Sequence, residues 1–202
     1  MNKVVRTPLI CSLFPALLLT SQATLAQETP RADKHYIGLM ATTFNHRTIG
    51  ERTKETAWGT GGTLVVGGHI TDLFHAELRA GGGFEDAEVP QSDLTLAVDY
   101  YASWYMGLHY PITDYANLYG QFGFSYIHGE GEISNPGEDR NKPYLGLEGE
   151  FPDSGFSVSW IAGLDFEVMN DTYLVFEGGK LFKDTGTDVN TFQFSGGVRY
   201  EF

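Results

Sequence analysis

Past residue 27, apolar and polar side chains alternate at every second position in eight separate stretches, and none keeps the 3.6-residue apolar period of a packed helix. The stretches are His35–Phe44, Trp58–Thr71, Phe74–Phe84, Leu94–Ile112, Ala116–His128, Gly155–Val168, Thr172–Lys183 and Asn190–Phe202. Each is as long as a tilted strand needs to cross a bilayer, about 9–11 residues, or longer. In the fourth, Leu94, Leu96, Val98, Tyr100, Ala102, Trp104, Met106, Leu108 and Tyr110 share one face, and Thr95, Ala97, Asp99, Tyr101, Ser103, Tyr105, Gly107 and His109 the other. In the first, His35, Ile37 and Leu39 are about as apolar as Tyr36, Gly38 and Met40, so alternation does not choose its facing.

The connections alternate in length. Thr71–Phe74, Thr113–Tyr115 and Met169–Thr172 are tight and carry Asp or Asn where turns favour them. Asn45–Ala57, Glu85–Asp93, Gly129–Ser154 and Asp184–Val189 are longer and polar. Short turns at one rim and long loops at the other is the plan of an outer-membrane barrel. The pattern predicts an all-β fold, an eight-stranded antiparallel up-and-down transmembrane β-barrel, with the closing segment Asn190–Phe202 paired to the first, near His35–Phe44.

A secreted, lipocalin-like barrel would hide the same apolar set as its core. Two features favour lipid on that side instead. Tyr100, Trp104, Tyr110, Tyr126, Phe156, Phe166, Tyr200 and Phe202 place aromatics near strand ends, as interface girdles do. The opposite face carries Glu77, Arg79, Asp99, Asp165, Glu167, Glu177, Arg199 and Glu201, which would pair inside a narrow lumen. Of these, Glu77, Arg79, Asp165, Glu177 and Arg199 lie at similar depths and are expected to form one charged layer. An ion in so dry a space is tolerated only when paired and hydrogen-bonded. That layer reads as a plug of side chains filling the barrel, or alternatively as a gate on a narrow ion path.

The N-terminus adds the route. Met1–Arg6 is basic, Leu9–Leu19 apolar, and Ala23–Ala26 small and polar, so residues 1–26 read as a secretory signal peptide, 27–33 as a short N-terminal segment and 34–202 as the barrel domain. Cys11, the single cysteine, falls in the leader, leaving a mature chain of about 176 residues without a thiol. Removing Lys3 and Arg6 leaves 11 basic against 26 acidic side chains, a net charge of −15, which argues against nucleic acid as a partner. With 25 Gly, 8 Pro and 14% aromatic residues, the composition suits strands in close contact.

The chain resembles the small outer-membrane β-barrel family that includes the transmembrane domain of outer-membrane protein A and outer-membrane protein X, over essentially all of residues 34–202. The clearest motif is Gly197-Val-Arg-Tyr-Glu-Phe202, similar to the assembly signal read by the barrel-insertion machinery. Gly197, Val198, Tyr200 and Phe202 are its matching residues. Gly196 stands where the family usually has a polar residue. The resemblance implies an outer-membrane protein of a Gram-negative bacterium in contact with lipid and lipopolysaccharide; the chain is expected to be a monomer with both mature termini periplasmic and no periplasmic domain after Phe202.

Enzyme chemistry finds little footing. A lipid A deacylase needs a serine beside a histidine with a carboxylate behind it. His35, His46, His69, His75, His109 and His128 fall on different segments, and none is followed two residues on by the serine of such deacylases. Ser125 and His128 differ by an odd number and face opposite sides of a regular strand. Asp184-Thr-Gly-Thr-Asp188 spaces oxygens like part of a calcium loop but lacks the closing bidentate Glu, so no metal or other cofactor is predicted. Gly129–Ser154, acidic with interleaved Tyr144, Leu145, Leu147 and Phe151, is where a surface partner would bind, or else a solvated face. The functional expectation is a non-enzymatic outer-membrane protein, structural or surface-interacting through its loops. The alternatives are a small pore for ions or small solutes and a lipid A-modifying hydrolase or acyltransferase.

Overall fold

The computed structural model describes residues 31–50 and 53–202. The expected leader, Cys11 and residues 27–30 of the N-terminal segment lie outside the described residues. Among the described residues eleven strands run in chain order: β1 (His35–Ile49), β2 (Glu55–His69), β3 (Phe74–Glu85), β4 (Ala87–Glu88), β5 (Leu94–Leu96), β6 (Tyr100–Thr113), β7 (Ala116–Ile133), β8 (Gly149–Phe151), β9 (Phe156–Met169), β10 (Thr172–Lys183) and β11 (Asn190–Glu201). Eight of them are long, and each of these pairs antiparallel with its neighbours in the order β1-β2-β3-β6-β7-β9-β10-β11. The sheet closes where β1 meets β11, from Tyr36↔Glu201 to Arg47↔Asn190. Closure satisfies the backbone groups of both edge strands, which hydrocarbon would leave unpaired.

The turn end is tight. Thr71 Oγ1 accepts from the Phe74 backbone N–H at 3.0 Å, and Asp171 takes a positive φ of 57° between β9 and β10, with a register shift beside it, as the left-handed residue closing a short bulged hairpin loop does. Along the shaft the apolar set faces out: Leu39, Leu78, Trp104, Leu108, Phe122, Phe176 and Tyr200 are exposed. The facing of β1 is set by its neighbours, with Tyr36, Met40, Thr42 and Phe44 inside and Ile37 and Leu39 outside.

Two expectations are corrected at the loop end. Leu94, Leu96 and Val98 do not share the lipid face of Tyr100 and Trp104; they are buried, while Asp99 is exposed rather than inward. The fourth segment is broken: β5 ends at Leu96 and β6 starts at Tyr100, and the chain slips its facing in between. The second correction concerns Gly129–Ser154, read from sequence as loop. Its first five residues continue β7 to Ile133, flanked by β5 on one side and β8 on the other. A 3₁₀ helix, Asp139–Leu147, then carries Tyr144 and Leu147.

Together the four long connections build a small apolar core above the shaft. Ile49 and Ala57 enter it from the first, Val89, Leu94 and Leu96 from the second, Ile133, Tyr144, Leu147 and Phe151 from the third, and Val189 from the fourth. Below it Phe44, Val98, Tyr101, Ile127, Leu181 and Phe182 form a second apolar deck inside the barrel. The deck is reached on β10 through a bulge between Lys180 and Phe182, which turns Leu181 and Phe182 both inward.

Polar staples fix these loops. Asp93 accepts from Arg140 Nη2 at 2.8 Å and from Asn141 Nδ2 at 2.9 Å, and its own N–H donates to Asn141 Oδ1 at 2.9 Å. The Asn141 hydrogen bond, aided by Asn135 and Arg140, holds the Asp93 carboxyl below the usual aspartate range. Asp184 accepts from the backbone and hydroxyl of Ser154 at 3.1 and 2.9 Å and from the Thr187 N–H at 3.2 Å. Burial alone would raise its pKa, but the bonds from Thr187, Ser154 and Gly186 outweigh it and the shift is downward.

Candidate functional site

Below the apolar decks the lumen is polar and cross-linked. Arg79 on β3 lies midway between Glu77, two residues back on its own strand, and Glu177 on β10. With eight strands in the ring, β3 and β10 are four apart in either direction, so the Arg79–Glu177 pair crosses the barrel. Its guanidinium donates from Nη2 to Glu177 Oε2 at 2.8 Å and to Gln121 Oε1 at 3.1 Å, over the Tyr105 ring at 5.3 Å. The hydroxyls of Tyr36 and Tyr119 donate to the two carboxylates, to Glu77 at 3.0 Å and Glu177 at 2.6 Å. Tyr119 reaches β10 because Gly163 lies beneath it: a Cβ there would stand 2.6 Å from the ring.

Nearer the turn end, Arg199 donates from Nη2 to Asp165 Oδ2 at 2.7 Å and approaches Glu201 at 3.5 Å. Asn117 donates to the other Asp165 oxygen at 2.6 Å, and Arg31 to Glu201 at 2.7 Å. The five residues expected in one layer therefore fall into two: Glu77, Arg79 and Glu177 in the middle, Asp165 and Arg199 below with Glu201. Tilted strands separate positions that look level when counted from their turns.

The family model for the outer membrane protein beta-barrel domain matches residues 12–202. The chain belongs to that family. It is an outer-membrane protein. Among solved structures it is similar to Ail, the attachment invasion locus protein of Yersinia pestis, with 17% identity, 85% of this chain and 99% of that chain covered, and a TM-score of 0.56. Neisserial surface protein A matches at 16% identity over 83% and 97% of the two chains, with a TM-score of 0.54. OprG of Pseudomonas aeruginosa matches at 14% over 85% and 97%, with a TM-score of 0.52. At these identities the likeness is one of fold. Among curated proteins none matches.

Histidines missing from the expected layer link its two halves. The Nδ1 atoms of His75 and His109 are 2.8 Å apart, and His109 Nε2 is 3.1 Å from Asp165 Oδ2. Gln121 Nε2 lies 2.8 Å from His75 Nε2. Arg79 can only donate, so it fixes the Gln121 carbonyl toward itself and the amide N–H toward His75. His75 Nε2 then accepts, its Nδ1–H donates to His109, and His109 Nε2–H donates to Asp165. The result is one directed chain of hydrogen bonds from Arg79 to Asp165, where Arg199 ends it. His69 joins from the side, with Nε2 3.2 Å from Glu201 and its ring 5.1 Å from that of His109. The signal for this cluster was parity. His75 shares the inward face of Glu77 and Arg79, and His69 is its direct partner across β2 and β3.

A pocket of about 90 Å³ at the turn end has His109, Asn117, Glu167 and Asp171 in its walls. Among the described residues no three His, Cys, Asp or Glu side chains are grouped to hold a metal ion. In the barrel's closing strand, Val198 and Tyr200 face outward, Gly197 packs inward beside Met40, and Phe202 bonds through its backbone to His35 at 2.8 Å while stacking on Tyr200.

Proposed function

We propose that this outer-membrane barrel is a closed, non-enzymatic envelope protein, acting structurally and through its folded loop cap as an interaction surface rather than as a channel. The Arg79–Glu177 clamp carries this reading. It crosses the lumen with all three guanidinium nitrogens of Arg79 bonded to buried acceptors, and removing ions so paired from their partners is costly. Above it the deck of Phe44, Tyr101 and Phe182 fills the lumen with ring carbons, and the Tyr101 hydroxyl is already bonded to Thr63. The cap supports the surface role: an ordered, acidic platform holds its shape before binding, which lowers the entropy a partner must offset. Ail is named for attachment and invasion and was solved with a heparin analogue, so a barrel of this fold can serve recognition. The acidic platform here suits a basic partner docking on the Gly129–Ser154 connection. The barrel would be exported as a secretory precursor, inserted as a monomer by the assembly machinery reading Gly197, Val198, Tyr200 and Phe202, and set among lipid and lipopolysaccharide with its short turns periplasmic.

Planar-bilayer recording tests the closed state. Refolded protein is expected to give no steady conductance; stable channels in the unmodified protein would establish the pore reading instead. Mass spectrometry of lipid A from cells with and without the protein is expected to show the same acyl pattern. An altered pattern would make it an enzyme.

A further inference from the structure

The loop end is acidic, and its basic side chains are mostly spent on that acid. Arg140 pairs with Asp93 and Glu138, Lys142 with Asp139, and Lys183 faces Asp188 at 3.7 Å. Arg47 and Lys180 differ: neither pairs with a carboxylate among the described residues. Both project on the outer face at the top of the shaft and meet at Phe192. Lys180 is the direct partner of Phe192 across β10 and β11, and the Arg47 guanidinium lies 4.6 Å over its ring. Asn45, the partner of Phe192 on the β1 side, is fully buried between that ring and Trp58. Its Oδ1 accepts from Arg47 Nε, which leaves Nδ2 as a buried donor with no acceptor among the described residues.

We propose that Arg47, Lys180 and Asn45 form a binding site for a phosphate group of an outer-leaflet lipid. Two cations flank the Phe192 ring and an unsatisfied amide N–H lies buried beside it, donors of the kind that charge-assisted phosphate binding requires. The source is lipid because of what lies beside the spot. Phe176 is exposed four residues below Lys180 on the same face, and Trp58, Trp160 and Phe194 are exposed around it, so acyl chains pack directly beneath a phosphate held there. The opposite side of the same rim, with Glu85, Asp99 and Glu150, repels a phosphate, which makes the site one-sided on the barrel.

Native mass spectrometry of the full barrel in detergent, titrated with bisphosphorylated lipid A, tests this. The unmodified protein is expected to retain lipid A, and to retain the same lipid stripped of its phosphates about tenfold less or worse. Arg47→Gln with Lys180→Gln is expected to cause the same loss and Asn45→Ala a smaller one, while Lys183→Gln leaves retention unchanged. Each variant is scored after heat-modifiable gel mobility shows it folded, and the comparison of the two lipids needs no variant. Equal retention of the phosphate-free lipid, or undiminished retention by the folded double variant, would overturn the site. Displacement of lipid A by millimolar inorganic phosphate would make it a free-phosphate site and overturn the lipid assignment.

Discussion

The shaft and the cap bury side chains of opposite chemistry within one continuous sheet. Inside the shaft are Glu77, Arg79, Asp165, Glu177 and Arg199; inside the cap are Leu94, Leu96, Ile133, Tyr144 and Phe151. The difference is the solvent on the other side. Around the shaft it is hydrocarbon, which takes the apolar face and leaves polar groups to pair within. Around the cap it is water, and the ordinary rule returns. Strand β7 passes the boundary without changing its facing. Its inward residues run Gln121, Ser125, Ile127, Ile133 while its outward ones run Phe122, Phe124, Glu130, Glu132. Polarity inverts on both faces between Tyr126 and Glu130.

The comparison breaks most severely at Arg79. Arg79→Ala is expected to cost about 3–5 kcal/mol, because Glu77 and Glu177 are left buried without their counter-ion. Denaturant unfolding in detergent measures this, and joining the change with Glu77→Gln and Glu177→Gln is expected to recover much of the loss. The same variant is expected to remain non-conducting, since the deck of Phe44, Tyr101 and Phe182 is untouched.

In the cap the corresponding change is Leu94→Ala, expected to cost about 2–4 kcal/mol through the void it leaves. The loss should be local. Hydrogen exchange is expected to rise across residues 87–96 and 139–151 while the heat-modifiable mobility of the shaft stays the same. Leu108→Ala, on the lipid face of β6, is expected to leave cap exchange unchanged. Rapid exchange throughout the unmodified cap would dissolve the distinction between the two regions.

How much of this was legible in the sequence follows the same boundary. The shaft could be read because one rule, alternation, holds along each strand, and Arg79, Glu177 and Arg199 declare the inward face. Leu94, Leu96 and Val98 misled because alternation continues across the interface while its meaning inverts. The chain compensates by slipping at Ala97–Asp99, which no count of apolar residues reports. The histidine chain was within reach of the same parity argument, but partners two strands apart, such as His109 and Asp165, depend on shear as well as facing. Asn45 carries no sequence signal, since its burial comes from Trp58 and Phe192 on strands either side.

Acid sharpens the comparison further. Asp93 and Asp184 both titrate below the ordinary aspartate value of 3.8 when folded. A carboxyl lowered on folding contributes stability that is present above its unfolded pKa and lost as pH falls through the folded one. The cap is therefore expected to keep its exchange protection down to about pH 4 and to lose it below, while Asp184→Asn, which cannot ionise, is expected to leave the fourth loop less protected at neutral pH as well and without an acid transition of its own. Cap protection that instead fades between pH 7 and 5 would trace its order to other groups.

The smallest effect is the most direct reading of the boundary itself. Glu132 shares the outward face of β7 with Phe124, eight residues before it, yet meets water where Phe124 meets lipid. Glu132→Leu is expected to change stability by no more than about 0.5 kcal/mol, as exposed substitutions do. Phe124→Arg, on the same face of the same strand, is expected to cost about 2–4 kcal/mol if it lies near the bilayer midplane and less toward the rim. Moving an arginine stepwise through Phe122, Phe124, Tyr126, His128 and Glu130 and recording the unfolding free energy of each variant maps that fall. The step at which the penalty vanishes locates the membrane surface on β7, and it is expected between Tyr126 and Glu130, the same place where the interior turns from hydroxyls to Ile127 and Ile133.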